Sequence, residues 1–289
     1  MEKLAMYMFV SAAITLGLAT LSYAAEAAGA LLGRRTAATT AGNVTLDVPS
    51  DGTGVGKYGT VLAWMGGVLL ALSLLFRTIA TGHGPFANMH EYSISFAFGV
   101  MLIYLVVNSR YKVHALGLAA FPIAIGLMIY AGSVPSEVQP LVPALQNNTL
   151  LTLHVAVAIL AYGAFSVSAA AAFLFLLQDR LRRRLVADAE TLDELGYVSA
   201  ALGFPFMGLV LILGAYWAHT AWGRYWGWDP KETASLVTFL LYTVYLHTRA
   251  LRGWRGRKSS VLLLAGFGLV LFTYYGNLFF DGLHAYSGT

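Results

Sequence analysis

Eight stretches of this chain are apolar for about the thickness of a bilayer core. They run Leu4–Ala24, Tyr58–Ala80, Tyr92–Asn108, Val113–Ala131, Leu150–Leu177, Val198–Thr220, Thr233–Arg249 and Ser260–Phe280. A helix rises about 1.5 Å per residue, so ~20 residues cross a hydrocarbon core of ~30 Å. Backbone polar groups find no water there, and a helix satisfies them internally. The expectation is an all-α polytopic membrane protein, a single integral-membrane domain over residues 1–289 with about eight transmembrane helices. Composition agrees: 58% of the 289 residues are hydrophobic and 11% charged, against about 45–50% and about 25% in soluble proteins. That excludes a disordered chain, a nucleic-acid-binding domain and an ordinary cytosolic enzyme. Cysteine is absent. Any thiol chemistry must therefore use the sulfur of another molecule.

Orientation follows from the basic residues. Of 18 Lys and Arg, 14 fall in one set of loops: Arg34, Arg35, Lys57, Arg110, Lys112, Arg180, Arg182–Arg184, Arg249, Arg252, Arg255, Arg257 and Lys258. The positive-inside rule places that set in the cytoplasm and both termini outside. The run Arg180 to Arg184 is expected to anchor the topology and meet anionic lipid. Leu4–Leu21 followed by Ser22-Tyr23-Ala24 has the look of a signal peptide. Glu2 cancels Lys3, however, and a retained span is the preferred reading.

The loop before the seventh span differs from the rest of the chain. It reads Trp222-Gly-Arg224-Tyr225-Trp226-Gly-Trp228-Asp229-Pro230-Lys231-Glu232, and with Trp217 it gathers four of the six tryptophans into twelve residues. Asp229, Pro230 and Glu232 have the spacing of a helix capping box with proline at the first helical position. Capping does not need the preceding indoles. An external aromatic shelf of Trp217, Trp222, Tyr225, Trp226, Trp228 and Asp229, at residues 217–233, suits a large flat apolar ligand. Arg224 and Lys231 at its edge are placed to pair with that ligand's carboxylates.

This segment resembles the tryptophan-rich "WWD" signature of the haem-handling superfamily. The histidine spacing resembles its CcsA/ResC branch, the smaller core subunit of the System II cytochrome c synthase. The resemblance implies a haem b cofactor as cargo, a larger ResB/CcsB-type membrane partner and an apocytochrome c CxxCH substrate. Haem would move from the cytoplasmic side to the external tryptophan-rich site and there be attached through thioether bonds. It also implies a bacterial cytoplasmic membrane, or a thylakoid membrane if the chain is plastid-encoded. Two external histidines flank the signature in this family as axial haem ligands, a role that falls on His154 and His284. An inner transmembrane haem ligand falls on His247, with its second ligand drawn from the partner subunit. The alternative is a CcmC-like carrier that hands haem to a chaperone without forming a bond. Such carriers usually have about six spans. An ordinary transporter or a b-type oxidoreductase would call for helix breaks at the midplane or for histidine pairs at matched depth.

The remaining histidines read more blandly. His83 and His219 are expected at the interface, with His219 near the shelf. His90 stands where the family often has tyrosine, which weakens a ligand role, and capping accounts for Glu91. His114 is the in-chain alternative partner for His247 by depth. Glu26 is expected at the cytoplasmic interface.

Overall fold

The computed structural model describes every residue except 41–53, 138–140, 142–144, 147, 182–186, 277–278, 281 and 285–289. Arg182–Arg184 lie outside the described residues. The chain forms α1 (Glu2–Thr40), α2 (Gly54–Thr81), α3 (Met89–Tyr111), α4 (Gly117–Ser133, after a 3₁₀ turn at His114–Leu116), α5 (Asn148–Leu181), α6 (Ala189–Trp222), α7 (Pro230–Arg252) and α8 (Arg257–Tyr275). No strand occurs among the described residues. The protein is an all-helical, multi-pass membrane protein, as its apolar stretches require.

Seven of these helices are long and apolar enough to cross a membrane. The exception is α7, and its two faces explain why. Its buried face is tipped with polar groups: Ser235, Thr238, Tyr242, Tyr245 and Arg249. Its exposed face carries Val237, Leu240 and Val244. Positions three and four apart share a face, so α7 has its polar stripe inward and its apolar stripe outward. A bilayer-facing helix needs that arrangement, and mean hydropathy dilutes it.

The bundle is built around α5, which packs against α3, α6 and α8, while α1 pairs with α2 and α7 with α8. Close approach of α3 and α5 rests on two glycines. A Cβ at Gly163 would lie 2.5 Å from the Gly99 carbonyl oxygen, and one at Gly99 equally close to that of Ile159. Small residues let membrane helices pack backbone to backbone. Gly163→Val is expected to push the two helices apart and destabilise the fold by about 1–3 kcal/mol, the usual range for overpacking. Thermal unfolding in detergent checks this. Gly17→Val, at a site with nothing within 4 Å of the added Cβ, should unfold like the unsubstituted protein.

Two polar clusters close the end of the bundle opposite the tryptophan loop. Arg249 of α7 donates to Asp193 Oδ2 at 2.7 Å and to Glu194 at 3.2 Å, and Asp193 Oδ1 accepts the Gly256 N–H at 2.8 Å. The Arg249 guanidinium also lies over the Tyr197 ring, 4.6 Å from its centroid. One cluster thus ties α6 to α7 and to the start of α8. In the other, Glu26 meets His114 Nδ1 at 3.3 Å, and Tyr23 stacks on the His114 ring at 5.5 Å. His114 therefore belongs with α1. The structure does not pair it with His247, and depth alone was a poor guide to a partner because it ignores which helices are neighbours.

Candidate functional site: a two-histidine cavity under the tryptophan loop

The loop from α6 to α7 is shaped by local backbone chemistry. Gly223 closes α6 in the left-handed region (φ 74°), its N–H bonded to the His219 carbonyl. Trp228 also has positive φ, 55°, a conformation a bulky residue rarely adopts. The capping box then forms as expected. The Glu232 carboxylate accepts the Asp229 N–H at 3.1 Å and the Gly227 N–H at 2.8 Å, and Asp229 accepts the Lys231 N–H at 3.0 Å. These bonds hold the irregular turn and fix the point at which α7 starts.

Beneath the loop, α3, α5, α6, α7 and α8 surround a cavity whose lining includes Tyr92, His154, Trp217, Trp226, Lys231 and His284. His154 comes from the first turns of α5. Its ring lies nearly parallel to Trp217 (10°, centroids 6.3 Å apart), and its Nδ1 is buried with no hydrogen-bond partner. Gly214 on α6 makes room for it: a Cβ there would lie 2.9 Å from the ring. His284 comes from the segment after α8. Its ring is 5.6 Å from Trp217 and 4.9 Å, edge-on, from Trp222.

Asp229 fixes His284. Its Oδ2 accepts from His284 Nδ1 at 2.8 Å, and its Oδ1 accepts the Leu283 N–H at 2.6 Å. A side chain at Gly282 would collide with the same carboxylate, which leaves glycine as the residue that fits. The capping residue of α7 is thus also the tether of the C-terminal segment. Burial by itself would raise the Asp229 carboxyl, but the His284 ring and the N–H groups of Lys231 and Leu283 hold it down at about 2. Burial lowers His284, against the pull of Asp229. The pair at neutral pH is a carboxylate and a neutral imidazole. With its proton on Nδ1, the ring carries its lone pair on Nε2, the form in which histidine binds metals, and a carboxylate behind the ring is the common way to orient it. Lys231 stands over the Tyr92 ring, 5.8 Å from its centroid, and burial brings its ammonium down to about 8. It offers a cation to an anionic group entering the cavity.

The structure divides the expected shelf. Trp217 is 2% exposed and is an inner wall, not a surface. Trp226 lines the cavity, and Trp222 packs against Trp217 and His284. Trp228 is 69% exposed and meets Trp226 edge-on at 5.7 Å. Tyr225 is exposed and stacks on His219 at 4.2 Å, while Arg224 is exposed and packs beside Gly227. His247 sits far down α7 and is exposed, so it is not part of this cavity. His83 is 8% exposed, with Nδ1 bonded to the Gly84 carbonyl. Tyr162, Ser235 and Tyr274 also line the cavity, and no local pattern in the sequence marked them.

Every element around this cavity, from α3 to the segment after α8, falls within one stretch of sequence. The profile of the family described as "Cytochrome C assembly protein" matches residues 86–284. The chain belongs to the cytochrome c assembly protein family. Curated relatives agree with this assignment. The chain is 34% identical to "Cytochrome c biogenesis protein CcsA" of Microcystis aeruginosa, over 81% of this chain and 88% of the relative. It is 37% identical to the CcsA of Chlamydomonas reinhardtii, over 78% and 67% of the two chains, and 30% identical to that of Pyropia yezoensis, over 84% and 91%. Membership makes this a CcsA-type cytochrome c biogenesis protein, and haem handling follows from the family. α1 and α2 lie outside the matched stretch, and the two-histidine cavity lies inside it.

Proposed function

We propose that the chain is the membrane core subunit of a cytochrome c synthase, and that its two-histidine cavity is where haem b is presented to the apocytochrome. The observation that carries this reading is the convergence of His154 and His284, from distant parts of the sequence, on one cavity against Trp217. The donor set suits an iron porphyrin. One imidazole has a buried nitrogen without a partner, the other is held in its metal-binding form by a carboxylate, and indoles wall the space between helices. Lys231 inside the cavity and Arg224, exposed on the loop, supply cations for the two propionates. Tyr225 and Trp228 extend the aromatic surface outward, where a substrate polypeptide would approach.

Haem b as substrate brings two vinyl groups, and the thiols of the CxxCH segment add to them to form thioethers. The chain's own part is positioning. Fixing reactants in register can remove several kcal/mol of a bimolecular barrier. His154 and His284 would hold the iron until the substrate histidine displaces one of them, and the absence of cysteine leaves no competing thiol nearby. His247, exposed on an otherwise apolar face of α7, suits a second haem station completed by a ResB/CcsB-type partner. An ionisable residue facing lipid is costly, and a partner helix would cover it. The tryptophan loop and both termini face outward, across a bacterial cytoplasmic or thylakoid membrane.

The test is an optical spectrum. The chain is co-expressed with a ResB-type partner and purified as a complex. It is expected to carry a low-spin haem with two nitrogen ligands. A colourless complex from cells with ample haem would reject the proposal.

A further inference from the structure

A second cavity opens at the same end of the bundle, between the first turns of α1, the end of α2, the start of α3 and the segment after α4. Its floor is apolar, with Phe9, Leu74 and Ile94, and its rim is charged, with Glu2, Lys3 and Glu137. Between floor and rim stand two polar side chains, each with an atom left over. Arg77 is 8% exposed. Its Nε donates to Glu91 Oε1 at 2.8 Å and its Nη2 to the Ser136 carbonyl at 2.6 Å, while Nη1 has no protein partner among the described residues. His90 donates from Nδ1 to the Ala131 carbonyl at 2.8 Å. That bond leaves the lone pair on Nε2, likewise without a protein partner among the described residues. Both atoms are reached from the cavity, and an unused guanidinium donor and an unused imidazole acceptor lining one space suit a ligand that carries both an anion and an N–H.

We propose that this cavity binds one phospholipid with a primary-amine zwitterionic headgroup. The phosphate sits on Arg77 Nη1 and Lys3. The ammonium donates to His90 Nε2 and is drawn by Glu2 and Glu137. The first carbons of the acyl chains run over Phe9 and Leu74. The layering matches a bilayer interface, with charges at the helix ends and apolar side chains about a turn deeper. Glu2 and Glu137 disfavour a headgroup that is only anionic, and a choline headgroup has no N–H for His90. The bound lipid would brace the start of α3, the helix that gives Tyr92 and Phe96 to the two-histidine cavity.

Native mass spectrometry of the delipidated full-length protein tests this, with ethanolamine, choline and glycerol phospholipids added back in turn. One ethanolamine lipid is expected to bind at least about tenfold more tightly than either of the others, the scale of one charge-assisted hydrogen bond. His90→Phe should abolish the preference over choline. Arg77→Lys keeps a cation for Glu91 but loses Nη1, and it should weaken all phosphate lipids while leaving the ethanolamine-to-choline ratio intact. Equal binding of ethanolamine and choline lipids, a preference for glycerol lipids, no retained lipid, or a preference unchanged in both variants would each overturn the assignment.

Discussion

His154→Ala and His284→Ala are each expected to abolish holocytochrome formation in cells that also express a ResB-type partner and a c-type cytochrome reporter. The loss should exceed about 100-fold, because residues that merely orient a metal ligand already cost ~10–100-fold when removed. The two substitutions differ physically. His154 is packed between Trp217 and Gly214, and its removal leaves a void in a buried wall. His284 lies on a segment tethered to Asp229, and its removal frees Asp229 to be solvated. Both leave a hole the size of one imidazole beside the cavity. Added imidazole should therefore restore part of the yield in each, while having no effect on the unsubstituted protein. Immunoblotting of the membrane fraction shows whether the chain is still made. Normal maturation in either variant would remove that histidine from the ligand pair. Loss of the protein itself would assign the residue to folding.

The sequence was legible wherever chemistry is local. Apolar runs of bilayer length place the helices, and only α7 needed the structure to explain its low hydropathy, because its polar stripe is turned inward. The capping box at Asp229, Pro230 and Glu232 formed at its spacing. The sequence could not say how the aromatic residues would be distributed. Trp217 and Trp228 look alike as neighbours of one motif, yet one is an inner wall and the other faces out. The difference arises from Gly223 and from the positive φ of Trp228, which turn the chain between them. Depth along the helices separated His247 from the outer pair correctly. It gave a false neighbour in His114, because depth carries no azimuth. The link between Asp229 and His284 had no local signal. Asp229 already had a complete explanation as a helix cap, and its second role became visible only when the segment after α8 was seen to return to the start of α7.

That second role predicts that Asp229→Asn severs function while sparing the fold. Asparagine caps helices about as well as aspartate, so α7 should still begin at residue 230. The carboxylate, however, makes three contacts that the amide cannot all keep. It accepts from Leu283 N on Oδ1, and from His284 Nδ1 and Lys231 N on Oδ2. If the amide oxygen stays on Leu283, its NH₂ faces both His284 Nδ1 and the capping Lys231 N–H, so it donates where it must accept and the cap is lost as well. The imidazole proton then moves to Nε2, and the lone pair needed by a metal is lost. If the amide flips, His284 keeps its tautomer but the Leu283 N–H meets another donor, and the tether fails. Either outcome should reduce holocytochrome yield by ~10–100-fold, the usual cost of losing a carboxylate behind a ligating histidine. With the amide flipped to keep the Lys231 N–H capped, the melting temperature should stay close to that of the unsubstituted protein. Asp229→Ala should lose as much activity and also about 0.5–2 kcal/mol of stability, as the cap goes with the tether. Imidazole should rescue His284→Ala but not Asp229→Asn, since in the latter the His284 ring still fills its own place. Wild-type yield in Asp229→Asn would reduce Asp229 to a helix cap and would leave His284 without the group argued here to orient it.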